Sequence, residues 1–285
     1  MPDHVTLFEM GPRDGLQNEA KAILTEDKIR LVDMLTEAGF AKIETASFVS
    51  PKWVPQMADG ADVLAGVQRK AGVRYSALTP NMKGYERAKA ADVDEIAIFG
   101  SASEGFSKSN LNMSKADALD MFRPVADAAK ADGIPMRGYV SCVAVCPFDG
   151  PTAPEDVADA VAAMLALGCY EVSLGDTIGR GTPDMTDGFL TACLNVTDAD
   201  RLAGHFHDTS GRALENIEVA LNHGIRCFDA AVGGLGGCPY APGAAGNVAT
   251  EAVADLLETR GFETGLDREK LLQAVSFART LRSVS

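Results

Sequence analysis

The chain of 285 residues has little positive charge, few histidines and no long apolar segment, and each shortage removes a class of function. Lysine and arginine number 26 against 40 acidic residues, a net charge of -14, so most of the surface repels nucleic acid and anionic membranes. An anionic ligand must be met by a local cluster. No apolar run reaches bilayer-spanning length, and no basic or Arg-rich leader precedes the first apolar run at Val5, so a cytoplasmic protein with no membrane partner is expected. No Cys-x-x-Cys pair occurs. The cysteines Cys142, Cys146, Cys169, Cys193, Cys227 and Cys238 sit mostly within or beside apolar runs, as free thiols of a reducing compartment do. A dinucleotide fingerprint is absent as well: Gly11-Pro12-Arg13-Asp14-Gly15 follows the first strand candidate without the required glycine spacing.

What is present is regular alternation. Apolar runs at Val5–Met10, Lys42–Ala46, Val73–Leu78, Glu95–Phe99, Met136–Val140, Tyr170–Leu174, Leu202–Phe206 and Arg226–Val232 read as strands, with helical patterns between them. Thr25 reads as an N-cap ahead of Glu26 and Asp27, Ser114 opens another helix, and Pro154 opens a third whose stripe is Val157, Val161, Met164 and Leu165. Leu271, Val275, Ala278 and Leu281 mark a last helix beyond the eighth unit. Eight strand–helix units without a linker predict an α/β protein, a (β/α)8 TIM barrel with an additional C-terminal helix, forming one catalytic domain over residues 1–285.

In such a barrel the chemistry gathers at the carboxyl ends of the strands. Two of the four histidines, His205 and His207, stand at alternate positions at the end of the seventh strand and so point the same way. Alone, such a pair is more often packed or surface-exposed than ligating. Asp14 lies just beyond the first strand, and alone reads as a turn aspartate capping amides. Together with the amide of Asn247 these residues make a mixed oxygen and nitrogen set that suits Mg²⁺ or Mn²⁺, while Zn²⁺ or Co²⁺ could also be held. Arg13 places a permanent cation beside that set, either to stabilise a developing anion or simply to pair with Glu44 on the neighbouring strand. Asp208 and Asp176 end strands and could orient a histidine ligand or cap a helix.

Residues 233–247 hold six glycines and two prolines, too many for regular structure. With no Gly-Lys-Ser/Thr, the segment reads better as a mobile lid carrying the thiol of Cys238 than as a phosphate loop.

Three motifs carry a resemblance: residues 11–19 (Gly-Pro-Arg-Asp-Gly-Leu-Gln-Asn-Glu), residues 47–59 (Ser-Phe-Val-Ser-Pro-Lys-Trp-Val-Pro-Gln-Met-Ala-Asp) and residues 234–241 (Gly-Leu-Gly-Gly-Cys-Pro-Tyr-Ala). From Glu9 to about residue 275 the chain resembles the 3-hydroxy-3-methylglutaryl-CoA lyases, metal-dependent barrel enzymes named with their condensing relatives for a shared Asp, Arg and Glu, here Asp14, Arg13 and Glu44. The resemblance implies Asp14, His205, His207 and Asn247 as ligands of a divalent metal, Cys238 as the lid thiol, a CoA thioester as substrate and a homodimer or higher homo-oligomer. It implies retro-Claisen cleavage of the thioester to acetyl-CoA and acetoacetate: Asp14 or His205 takes the hydroxyl proton, Arg13 stabilises the enolate and Cys238 protonates it, with Glu44 and Asp176 completing the catalytic set. Where the family commonly has Tyr, Gly and Gln after His-Asp-Thr, this chain has Ser210, Gly211 and Arg212, and Gly105 replaces a common serine. These departures point to a related 3-hydroxy-3-alkylglutaryl or citramalyl-type thioester as a second candidate substrate. A Claisen-condensing enzyme and a non-catalytic binding barrel are the rival functions. Lys52, Lys83 and Lys108 are candidate cations for the CoA phosphates.

Overall fold

The computed structural model describes residues 3–238 and 241–282, with backbone alone for residues 237, 238 and 241–245. The strands are β1 (Thr6–Glu9), β2 (Lys42–Ser47), β3 (Arg74–Leu78), β4 (Glu95–Ser101), β5 (Met136–Ser141), β6 (Val172–Asp176), β7 (Leu202–Phe206) and β8 (Cys227–Ala230). All pair in parallel, and β8 pairs with β1 in register from Thr6–Cys227 to Glu9–Ala230, which closes the barrel. The helices are α1 (Thr25–Glu37), α2 (Gly60–Gly66), α3 (Met82–Ala90), α4 (Glu104–Leu111), α5 (Lys115–Asp132), α6 (Pro154–Ala166), α7 (Pro183–Leu194), α8 (Ala213–Asn222), α9 (Thr250–Thr259) and α10 (Arg268–Leu281). The expected barrel with its additional C-terminal helix is the observed fold.

Local signals account for most boundaries. Ser114 accepts a hydrogen bond from the Asp117 amide at the start of α5, and Gly133 ends that helix in the left-handed conformation. Pro154 opens α6, whose Val157, Val161 and Met164 face the barrel wall. Thr25 differs from expectation. It is the first helical residue rather than the cap, and its hydroxyl donates to Asp59 Oδ2 at 2.8 Å, so a tertiary contact takes the group that would have capped the helix. The sixth strand starts at Val172, two residues later than expected, and the Tyr170 hydroxyl before it accepts from Lys42 and donates to Glu95.

The main apolar core lies between the strands and the helices, where Leu7, Ile43, Ile96, Ile98, Val140, Val172, Leu174, Leu202 and Phe228 are all buried. Inside the barrel the apolar cluster is small, consisting of Phe8, Met10, Ala203 and Cys227 with Tyr139 against them. The rest of the interior is polar. Lys42 donates to the Tyr170 hydroxyl at 2.9 Å, and buried Arg137 pairs with Glu171 at 2.7 Å and Asp229 at 2.8 Å.

Candidate metal centre

The site is assembled from three strand ends. β1 runs into a single π-helical turn, Gly11–Gly15, with Pro12 at its second position, and this turn carries Arg13 and Asp14. A Cβ on Gly15 would stand 2.7 Å from Cβ of Leu235, so glycine lets this turn lie against the segment that follows β8. β7 delivers His205, and His207 lies just past its end; their rings are 5.3 Å apart. One ligand atom from each of Asp14, His205 and His207 fits within 4.8 Å of the others. Asn247 reaches the same place: its Nδ2 donates to Asp14 Oδ2 at 2.7 Å, and it bridges backbone-to-backbone with His207. Gly236 has φ +98°, and a Cβ there would lie 2.8 Å from that amide nitrogen. Glycine keeps the amide in place.

The electrostatics suit a bound cation. Burial pushes the Asp14 carboxyl up, but the Arg13 guanidinium, the two histidines and the Asn247 amide more than offset it and hold it at about 2. Burial and neighbouring His205 push His207 down to about 4, so its imidazole is neutral and its lone pair available at neutral pH. Nδ1 of His207 is buried with no hydrogen-bond partner among the described residues. An unpartnered buried nitrogen beside an ionised carboxylate is what a metal ligand looks like before it is engaged. The residues therefore fit a divalent metal held by Asp14, His205 and His207, with the Asn247 amide turned to present Oδ1 as a fourth ligand.

Arg13 pairs with Glu44, as expected, and with Asp14 as well. Its Nε donates to Glu44 Oε2 at 2.5 Å, and its NH1 donates to Asp14 Oδ1 at 2.7 Å. Glu44 is completely buried and also accepts from the Tyr139 hydroxyl at 3.0 Å. Burial pushes its carboxyl up while Arg13 pulls it back. The guanidinium is thus gripped from one side and faces the cavity, about 370 Å³, whose lining includes Arg13, Asp14, His205 and His207 together with apolar Val54, Leu78, Phe99 and Phe106.

Of the two readings open for Asp208 and Asp176, the structure shows the capping of backbone amides. The acceptor that orients His205 is neither Asp208 nor Asp176 but Asp229, whose Oδ2 lies 3.1 Å from His205 Nδ1. Asp208 accepts from the Ala213 amide at 3.0 Å, as a cap does. Asp176 stands outside the triad, and its two oxygens accept from the Arg180 and Gly181 amides at 3.2 and 2.8 Å, which shapes the loop after β6. The Cys238 side chain lies outside the described residues; its backbone forms a short antiparallel pair with Ala241–Ala245.

Asp229, Arg137 and Ser173 do not stand out in the sequence. The available signal is Arg137 in the middle of an otherwise uncharged buried strand, Met-Arg-Gly-Tyr-Val-Ser, where an unpaired charge would be prohibitive.

Against known proteins, residues 4–277 match the HMGL-like family. The chain is 53% identical over 274 residues to the 3-hydroxy-3-isohexenylglutaryl-CoA/hydroxy-methylglutaryl-CoA lyase of Pseudomonas aeruginosa, covering 96% of this chain and 91% of that protein. The crystal structure of the HMG-CoA lyase from Brucella melitensis superposes with a TM-score of 0.97 at 58% identity, over 98% of this chain and 99% of that one. An HMG-CoA lyase from Acinetobacter baumannii, solved in complex with coenzyme A and 3-methylmalate, gives a TM-score of 0.93 at 36% identity, over 98% of this chain and 91% of that one.

Proposed function

Because this chain belongs to the HMGL-like family, we propose that it cleaves 3-hydroxy-3-methylglutaryl-CoA to acetyl-CoA and acetoacetate by a metal-assisted retro-Claisen reaction. The observation that carries the reading is the convergence of Asp14, His205 and His207 on one point, with the Arg13 guanidinium against Asp14 at the cavity wall. A CoA thioester is the substrate class, supported by the coenzyme A complex of the 36% identical relative.

A divalent metal, Mg²⁺ or Mn²⁺, bound by Asp14, His205, His207 and Asn247 supplies Lewis acidity that lowers the pKa of the substrate's tertiary hydroxyl. The hydroxyl proton passes to one of two candidate bases, Asp14 or His205, which stand at the same point of the site. As the hydroxyl carbon becomes the ketone of acetoacetate, the carbon–carbon bond breaks and its electron pair moves onto the thioester as an enolate. Arg13, fixed by Glu44, offers its remaining donors to that developing oxyanion. The Cys238 thiol then gives a proton to the enolate carbon, which yields acetyl-CoA and a Cys238 thiolate, and the proton taken from the hydroxyl passes from the base through solvent to that thiolate, which restores the starting state. Asp176 shapes the loop beside this centre and lies close enough to His205 to interact with it electrostatically.

A second reading concerns the branch at C3. The apolar part of the wall, Val54, Leu78, Phe99 and Phe106, and the isohexenyl substrate for which the Pseudomonas relative is named both favour acceptance of a longer 3-alkyl chain. No helix among the described residues is long and apolar enough to cross a membrane. A cytoplasmic setting belongs to the same reading, supported by free thiols at Cys142, Cys146, Cys169, Cys193 and Cys227, as does self-association into a homodimer or higher homo-oligomer. The test is incubation of the reduced protein with 3-hydroxy-3-methylglutaryl-CoA and Mg²⁺, with mass-spectrometric detection of products. Acetyl-CoA and acetoacetate in equal amounts are expected; intact substrate would overturn the reading.

A further inference from the structure

We infer that Asp229, clamped by Arg137, is a positioning residue that presets His205 as a metal ligand by fixing its tautomer, whereas no described side chain holds His207 Nδ1 in the same way. The inference rests on the metal-centre reading above and concerns how this chain prepares the site. Asp229 is buried in β8, and its Oδ2 takes three partners: the Ser173 hydroxyl at 2.6 Å, Arg137 NH1 at 3.0 Å and His205 Nδ1 at 3.1 Å. Its Oδ1 accepts from Arg137 NH2 at 2.8 Å. Arg137 is itself completely buried, braced by Glu171 on Nε at 2.7 Å and by the Phe8 and Tyr139 rings 4.5 and 5.2 Å from its guanidinium carbon.

An arginine cannot give up its proton here, and a carboxylate held bidentately by it is ionised and can only accept. Nδ1 of His205 must therefore be the donor, which leaves Nε2 as the only nitrogen of that ring with a lone pair for a metal. An ordinary ion pair inside the barrel would need Arg137 and Asp229 but not the convergence of Ser173 and His205 on one oxygen. The contrast with His207 is internal to the site: its buried Nδ1 has no partner among the described residues, so none of them fixes its tautomer through that nitrogen.

Two readouts test this, and neither uses turnover, so their failure is separable from failure of the lyase reading. Long-range ¹⁵N–¹H spectra of the metal-free wild-type protein, at a pH where both rings are neutral, should show His205 as the pure Nδ1–H tautomer and His207 as a mixture. His205 protonated on Nε2 would overturn the proposal. In Asp229→Asn, Mn²⁺ affinity measured by calorimetry should fall about 10- to 100-fold while kcat at saturating Mn²⁺ changes far less. A purely structural role would lower the unfolding temperature and leave the Mn²⁺ affinity of the folded protein at the wild-type value, and that result would also overturn the proposal. If Asp229→Asn does not fold, the wild-type spectrum decides alone.

Discussion

The two faces of the barrel strands are built from opposite materials. Outward, toward the helices, the strands present Leu7, Ile43, Ile96, Ile98, Val140, Leu174 and Phe228 to one continuous apolar core. Inward, where barrels of this kind are usually filled by branched apolar side chains, they present Lys42, Glu44, Glu95, Arg137, Glu171, His205 and Asp229. The outer face accounts for the fold, since burying apolar area is its dominant driving force. The inner face adds little to stability, because the desolvation of buried ion pairs largely offsets their attraction. It gives instead a connected set of fixed charges that ends, at the mouth, in the metal triad and Arg13. Fold and chemistry thus occupy alternate residues of the same strands.

Substitutions on the two faces should separate the two properties, and the largest effect is expected at the mouth. Replacing the proposed acid, Cys238→Ala, should lower kcat by about 10²- to 10⁴-fold and leave Mn²⁺ affinity unchanged. Unchanged turnover would remove the proton-donor role from this thiol. Arg13→Met should lower kcat by about 10²- to 10³-fold, the cost of losing one oxyanion donor, with far-ultraviolet circular dichroism unaltered. A rise in KM alone would mean that Arg13 only binds substrate. On the outer face, Ile98→Ala should cost about 2–5 kcal/mol in urea unfolding while turnover of the folded protein stays near wild type. A fall in turnover with no loss of stability would break the division between faces.

The smallest effect is expected at Glu9, the last residue of β1, and it is a pH effect. Its Oε1 accepts from the Gly11 and Val232 amides at 2.8 Å each, and its Oε2 from the Thr250 hydroxyl at 2.7 Å. It therefore ties the Arg13–Asp14 turn to the segments after β8. Burial raises its carboxyl from an ordinary 4.5 to about 7 against the pull of those hydrogen bonds. Between these values the folded chain holds a proton that the unfolded chain has lost, so this contribution to stability is full below 4.5 and is lost as pH rises through 7. It amounts to at most about 3 kcal/mol, in proportion to the shift. Glu9→Gln can keep the two amide hydrogen bonds on its oxygen and reverse the third, its NH2 donating to the Thr250 hydroxyl, and should flatten this part of the pH dependence when unfolding is followed at about pH 5.5 and about pH 8, on either side of the raised value. An unchanged slope would show that Glu9 does not titrate in this range.

The division between faces also explains what could be read from the chain alone. The outward residues recur with a period that local sequence carries, so the eight strands and the helix stripe of Val157, Val161 and Met164 were legible. Asp14, His205 and His207 were legible because a barrel puts every strand end at one mouth, so position along the strand is enough. Arg137 and Asp229 were not, because their pairing spans 92 residues and exists only once the barrel closes. The same holds for Thr25, whose hydroxyl reaches Asp59 across 34 residues instead of capping its own helix. Interactions set by closure leave no periodic trace. Their one local sign is a charge in a strand too buried to tolerate it unpaired.

The central claim is that the inward strand ends form a single metal centre that performs the cleavage. The most direct test strips the protein with a chelator and titrates Mn²⁺ while binding and acetoacetate formation from 3-hydroxy-3-methylglutaryl-CoA are followed in parallel. The account predicts no product from the metal-free protein and turnover that rises with binding to a plateau at one ion per chain. Product formation undiminished by chelation, or none at saturating Mn²⁺ with reduced thiols, would contradict it.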